Sequence, residues 1–302
     1  MAYSSFHPYY QALAWNKNLP PSPFALPSLG HLHLLKEPLH RCIFTLSQNH
    51  GPIFSLQLGS RLAVVVSSPS AVEECFTKNE IISANRPLFW AGKYVGYNYI
   101  NVGLAPYGDH WRNLRRIFRH EILSPTCLKL SSAIRMDEAR ILLTKLYNVV
   151  SSQDDSFVKV KLKPMLSEFT FNIRIFAGKQ YNIGEQVTGK LEGKRLQKLV
   201  EDLFQMGVSG NVGDFFPSLQ WIDFQGFKKN TVRLFKETDA FLQDLIDEHR
   251  MNKGDFERES TMISHLLSLQ ESQPQYYTDQ NIKAQMMDML NASIDTIMST
   301  VE

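Results

Sequence analysis

Two short stretches of this chain carry side chains that could do chemistry. In "YGDHWRNLRR", residues 107–116, an indole, three guanidinium groups and an imidazole fall within ten positions. If the stretch is helical, Trp111 and Arg115 lie about 40° apart on one face, because four residues separate them at about 100° per residue. An indole N–H beside a planar guanidinium fork is suited to hold a carboxylate or phosphate. The same spacing also fits a solvated basic face whose stems lie over apolar surface, and a helix that binds nucleic acid. Near the end of the chain Asp295 stands next to Thr296. A buried acid beside a hydroxyl can pass protons, and it can equally be a satisfied core pair or the polar end of a frayed helix.

The elements that must position these groups are mostly helical. Pro106, Gly108 and Asp109 predict a turn with Asp109 as N-cap, followed by a helix from His110 to Ile122. Its buried sector would hold Trp111, Leu114, Ile117, Phe118 and Ile122, with Arg112, Arg116 and Arg119 beside it and Arg115 at the seam. The last helix starts from Thr278 as N-cap. Its apolar positions, Ile282, Met286, Met289, Leu290, Ile294 and Ile297, cover enough of the circumference to predict a central helix. Further helical patterns cover 37–50, which stops at Gly51, then 130–150, 162–177, 190–207, 226–252 and 258–270. Two β-rich runs flank Gly59-Ser60 and predict a hairpin, and Ser68-Pro69 opens the helix after it. Residues 80–105 keep no sustained period and read as a long ordered loop rich in Phe89, Trp90, Tyr94, Tyr97 and Tyr99. The fold class is therefore mainly α with a small β-sheet near the N-terminus.

Composition narrows the function. With 302 residues and 43% hydrophobic content the chain can bury a large core, and a formal charge of +2 gives no general reason to expect nucleic acid as partner. Three separated cysteines, Cys42, Cys75 and Cys127, indicate neither a disulfide framework nor a zinc site. The pair His31 and His33 has no third ligand nearby and reads as a loop. The sequon at Asn291 lies inside a predicted helix, where modification is disfavoured. Residues 1–18 form a tail without an apolar run of spanning length, and 19–30 form a proline-rich hinge carrying Pro20, Pro21, Pro23 and Pro27.

The order of motifs, "LPPSPFALPSLGHLHLL", "GPIFSLQLGSRLAVVVSSPSAVEECFTKN", "ANRP", "YGDHWRNLRR", "DFFPSLQWIDFQG" and "NASIDTIMSTVE", resembles the N-terminal part of a plant cytochrome P-450, most closely the isoflavone hydroxylase group. The resemblance runs from Leu19 to Glu302 and makes 31–302 the N-terminal part of a catalytic domain, an incomplete P-450 fold ending in the long central helix. It implies that Trp111 and Arg115 bind a propionate of haem b. It places Asp295 and Thr296 as the acid and hydroxyl that deliver protons during dioxygen activation. It implies substrate contact at Phe89, Trp90, Tyr97, Ile100, Phe204, Ala292 and Ser293. The implied partners are a small aromatic substrate and NADPH–cytochrome P-450 reductase, with Arg112, Arg116 and Arg119 on the docking face. The implied place is the cytosolic face of the endoplasmic reticulum membrane, with the cytosol the alternative where no anchor is present.

Three departures accompany the match. Ser293 stands where the family has glycine beside the oxygen site, the apolar anchor is missing, and the sequence stops before the family's Glu-x-x-Arg pair and axial cysteine. No metal ligand is then expected within the chain, and the central helix should keep an uncovered apolar face. The expectation is a piece of a haem-thiolate monooxygenase, inactive alone through loss of the thiolate. The rival expectation is a non-enzymatic binding or interaction protein descended from one.

Overall fold

The structure is a computed structural model, and it describes residues 18–130, 132–151, 158–170, 195, 198, 199, 201–203, 205–207, 210–251 and 262–301. Within these, the side chains of 127, 130, 133, 134, 167, 168, 170, 293–295, 297–299 and 301 are not described. The chain divides into two compact units.

The first unit comprises residues up to Ala84 together with Val212–Ile222. Helix α1, Leu39–His50, ends at Gly51, whose φ of 97° lies in the left-handed region. Strands β1, Ile53–Leu58, and β2, Arg61–Val66, pair antiparallel from Ile53↔Val66 to Leu58↔Arg61, with Gly59-Ser60 as the connection. Gly59 has a φ of 58°, and a Cβ there would stand 2.4 Å from the Phe215 carbonyl oxygen, so only glycine fits. The neighbouring Ser60 N–H donates to that same carbonyl at 2.7 Å. Helix α2, Pro69–Phe76, has Pro69 in its first turn and Ser68 as N-cap, whose hydroxyl accepts from the Ala71 N–H at 3.3 Å.

The proline-rich stretch lies along β1. Ser55 donates its N–H to Pro21 and its hydroxyl to Pro20, at 2.8 and 2.9 Å. His31 is buried; its Nδ1 accepts the Gln57 N–H at 2.6 Å and its Nε2 donates to the Pro23 carbonyl at 2.9 Å. One ring nitrogen must be a lone pair and the other an N–H, so the neutral Nε2–H tautomer fits both contacts. The loop reading of His31 and His33 is refined by this: His31 is a structural clasp. Among the described residues no three His, Cys, Asp or Glu groups converge as a metal site.

The second unit holds Asn85–Asn211 and Asp223–Glu302. Among its described helices are α3, Trp90–Val95; α4, Asp109–Ile117; α5, Ser132–Ser151; α6, Leu162–Thr170; α7, Phe227–Met251; α8, Met262–Ser272; and α9, Asp279–Val301. Its core is built by one stripe each of α7, α8 and α9. Leu234, Leu242 and Ile246 meet Ile263 and Leu266, and all pack with Ile282, Met287 and Leu290. Each such side chain contributes about 1.5–3 kcal/mol on burial, which makes this cluster the main support of the unit. Thr231 and Thr238 enter the same buried face because each hydroxyl is satisfied by the carbonyl four residues back. α9 is central over its first three turns, as the apolar spacing predicts, and Thr278 caps it through the Asn281 N–H at 3.3 Å.

Two expectations need correction. Residues 80–105 are not one loop: they contain a single turn at Glu80–Ser83 and helix α3. α3 escaped the periodicity because it is short and buries Ala91, Gly92 and Val95, small residues that leave no amphipathic signature. Asp109 is not the N-cap of α4. Gly108 occupies that position, and the Asp109 carboxylate instead accepts from Arg112 at 2.5 Å. The helix does reach Ile122, its last five residues widening into a π turn, Phe118–Ile122. The predicted helices 162–177, 190–207 and 258–270 extend partly outside the described residues. Among the described residues no helix is long and apolar enough to cross a membrane.

Candidate functional site

The chemistry-bearing residues of the second unit gather around α4, α9 and the segment between α3 and α4. On α4, Leu114 and Ile117 are buried and fix the rotation of the helix. Trp111 is half-buried, and the Arg115 guanidinium lies 5.6 Å from the centre of its ring. Arg112 is taken up by Asp109 and the Tyr107 ring, and Arg116 by the Asn113 side chain at 2.8 Å. Of the three arginines in 107–116, Arg115 alone has neither a hydrogen bond nor an ion pair among the described residues. It is exposed, seated on an indole, with its N–H groups free for an anion.

Residues 97–105 form a strap over α9. Tyr97, Asn98 and Tyr99 have φ values of 49°, 63° and 62°, a run of left-handed residues that glycine would adopt more readily. Tertiary contacts hold the run in place. The buried Tyr97 hydroxyl donates to Asp239 Oδ1 at 3.0 Å and its ring meets Phe235 at 5.1 Å, while the Tyr99 hydroxyl donates to the Phe89 carbonyl at 2.7 Å. Lys283 closes this arrangement by pairing with Asp239 at 2.6 Å. Burial first, then the charge of Asp239, pushes the Tyr97 phenol far above its usual range, so it is a permanent donor.

The rest of the strap is tied to a polar stripe on α9. Asn281, Gln285 and Asp288 follow one another at spacings of four and three, so they share a face, and the spacing continues through positions 292 and 295. Gln285 accepts the Val102 N–H and donates to the Ile100 carbonyl, both at 3.3 Å. Asp288 accepts from the Asn101 amide at 2.5 Å and from the Gly103 N–H at 2.7 Å. His110 of α4 joins in, with Nε2 2.8 Å from the Ile100 carbonyl and Nδ1 2.7 Å from the Tyr276 hydroxyl. Burial raises the Asp288 carboxyl to about 6, against the opposing pull of the N–H groups of Gly103, Asn101 and Val102.

The structure brings only some of the sequence-derived site residues together. Phe89 caps α3, and Trp90 is half-buried between Tyr94 and Phe227 with the Lys228 ammonium 5.5 Å from its ring centre. Tyr97 is committed to the core, and Ile100 is half-buried with its carbonyl gripped by His110 and Gln285. Ala292 and Thr296 are exposed, and the Thr296 hydroxyl donates to the Ala292 carbonyl at 2.5 Å. Phe204 and the side chains of Ser293 and Asp295 lie outside the described residues. Among the described residues no hydrogen bond joins Thr296 to Trp111 or Arg115. The residues that sequence reasoning missed are Asn281, Gln285 and Asp288. Their stripe is visible in the sequence as a polar i, i+4, i+7 series leading to Asp295, masked by the stronger apolar pattern of the same helix.

This geometry accompanies a family match that covers almost the whole chain. The Cytochrome P450 family profile matches residues 20–302. The chain is 52% identical over 289 residues to cytochrome P450 81Q32 of Catharanthus roseus, covering 95% of this chain and 56% of that protein. It is 48% identical over 290 residues to isoflavone 3'-hydroxylase of Medicago truncatula, with 95% and 58% covered. With isoflavone 2'-hydroxylase of Glycyrrhiza echinata it shares 46% over 289 residues, with 95% and 57% covered. The chain thus spans about half the length of the curated relatives it matches. Identity at this level, sustained from the proline-rich stretch through α4 to the end of α9, makes the chain a member of the cytochrome P450 family.

Proposed function

We propose that this chain supplies the N-terminal part of a haem-thiolate monooxygenase of plant secondary metabolism, one that hydroxylates a small, flat aromatic substrate of the isoflavonoid kind. The oxidant is O2, and the electrons come from NADPH through NADPH–cytochrome P450 reductase at the cytosolic face of the endoplasmic reticulum membrane. The observation that carries the reading is Arg115, a guanidinium unpaired among the described residues and held against Trp111 on a helix fixed by its buried face. That donor set fits a haem propionate: two N–H donors of different directions, one of them a permanent cation. Bound haem would supply dioxygen activation, which needs an axial thiolate. Cys42, whose Sγ donates to the Leu34 carbonyl, and Cys75 belong to the other unit, so neither shares a unit with Trp111 and Arg115.

The chain's own residues then have distinct tasks. Trp111 and Arg115 hold and orient the propionate. Trp90, Ile100, Phe89, Phe204, Ala292 and Ser293 have the task of contacting substrate, while Tyr97 braces Ile100 from the core. Asp295 and Thr296 hold the protons that oxygen chemistry consumes, with Ser293 beside them in place of the family's glycine. Arg112, Arg116 and Arg119 face outward, toward an acidic partner such as the reductase. Residues 19–30 serve as the hinge to a membrane-attached segment.

Haemin titration of the purified chain, followed by Soret absorbance and tryptophan quenching, tests the clamp. Saturable binding is expected, weakened roughly 10–100-fold in Arg115→Ala, as loss of a charge-assisted contact costs about 1.5–3 kcal/mol. Equal binding by wild type and Arg115→Ala refutes the assignment. Absence of any haem response in the wild type favours a non-enzymatic interaction protein.

A further inference from the structure

We propose that Asp288 is the positioning residue of the 100–104 strap, a latch that sets where Ile100 sits. The role given to Ile100 rests on the function proposed above; the latch itself does not.

The strap contains no charged residue between Tyr97 and Ala105 and no internal helix or strand, so its place is set by what it is tied to. Among the described residues Asp288 provides both of its carboxylate oxygens to the strap alone: Oδ1 to the Asn101 amide, Oδ2 to the Gly103 N–H. Asn101 is fully buried and Gly103 is exposed, so the two bonds pin an inner and an outer point of the same turn. The fit leaves no slack. A Cβ at Gly103 would stand 3.0 Å from Asp288 Oδ1, and one at Gly96 would stand 2.8 Å from the Asn101 side-chain oxygen. Gln285, one turn earlier, holds Ile100 and Val102 through backbone atoms and would still do so without Asp288.

The charged and titratable groups of the surrounding elements are engaged elsewhere. Lys283 of α9 is paired with Asp239 of α7, His110 of α4 lies between Tyr276 and Ile100, and Asp279 at the start of α9 is held by Arg250. Burial and the strap's own N–H groups are the influences on Asp288, with no neighbouring charge among them. Lifting the strap would return the carboxyl to water and to its ordinary value near 3.8. The docked strap therefore binds the proton more tightly than the lifted one, and by linkage the protonated carboxyl's contribution to docking is fully present below about 3.8, is lost as pH rises from there through about 6, and changes no further above that.

Hydrogen exchange of the full 302-residue chain reads this directly, because the Gly103 amide is exposed and has Asp288 as its hydrogen-bond partner. After correction for intrinsic exchange, its protection should fall about tenfold between pH 5 and pH 7, the change expected for a carboxyl that moves from about 6 docked to 3.8 lifted. The Gly96 amide, bonded to the Gly92 carbonyl within α3 and its cap, should not change. Asp288→Ala, which removes both accepting oxygens, should lower Gly103 protection at both pH values and abolish the pH dependence. Asn101→Ala, which removes the other partner and leaves the carboxyl in place, should lower protection while keeping the pH dependence. A flat profile in the wild type, or Gly103 protection unchanged in Asp288→Ala, would overturn the latch. Because no haem or substrate enters the measurement, failure here is separate from failure of the monooxygenase reading.

Discussion

Replacing Asp279 by asparagine should unlock the start of the central helix, and the cost follows from its contacts. The Asp279 carboxylate accepts two bonds from Arg250, at 2.5 and 2.9 Å, one from Gln270 at 2.9 Å and one from Gln243 at 3.2 Å. These partners come from α7 and α8, so a single side chain in the first turn of α9 ties three helix ends together. The bonds from Arg250 come first in holding the Asp279 carboxyl far below its usual range, with Gln270 and Gln243 adding to them. A group depressed in this way gives stability that is present above its unfolded value near 4 and is lost as pH falls below it. Charge-assisted bonds in a buried site would sum to several kcal/mol, but the side chains of Arg250 and Asp279 are 39% and 33% exposed, so water screens much of that. We expect Asp279→Asn to cost about 2 kcal/mol at pH 7 in urea unfolding followed by far-ultraviolet circular dichroism. The difference between the two proteins should shrink steadily between pH 4 and pH 2. A cost below about 0.5 kcal/mol at pH 7, or one that persists undiminished at pH 2, refutes the assignment of these bonds as the lock.

Two further substitutions probe the supports of the two units. Tyr97→Phe removes the phenol from Asp239 and leaves Lys283 as the remaining partner of that carboxylate; a loss of about 1–2 kcal/mol and faster exchange of the left-handed run 97–99 are expected. His31→Ala leaves the Gln57 N–H and the Pro23 carbonyl without the ring that joins them; limited proteolysis should then cut within 20–30 much faster, with a loss of about 2–3 kcal/mol in the first unit.

The features that repeat along the chain are legible in the sequence. The buried sector of α4, the hairpin at Gly59, the Ser68 cap and the central position of α9 all come from periods and caps that involve only neighbours. The parts that stay hidden depend on partners far away in sequence. Nothing local marks Asp288 as the ligand of a strap 187 positions earlier. Nothing local reveals that His31 is a clasp, because the Gln57 N–H and the Pro23 carbonyl that it joins are backbone atoms. Tyr97 reads as part of an aromatic run, yet its hydroxyl is spent on Asp239 of α7, a core role that only the fold discloses. α3 is missed for a different reason: its small buried residues erase the contrast that periodicity measures. Of the candidate site, the pair Trp111 and Arg115 follows from a four-residue spacing, whereas the freedom of Arg115 appears only once Asp109 and Asn113 are seen to occupy its neighbours.

The strap is gripped mainly by atoms that every amino acid shares. From residue 100 to 104, His110 and Gln285 hold the Ile100 carbonyl, Gln285 holds the Val102 N–H, and Asp288 holds the Gly103 N–H, while Asn101 is held by its side chain. The side chains at 100 and 102 take no part in these hydrogen bonds, although Ile100 also packs against the core. Evolution can exchange them, altering what the surface prefers to touch, while the frame beneath stays intact, so diversification and folding are governed by separate sets of atoms.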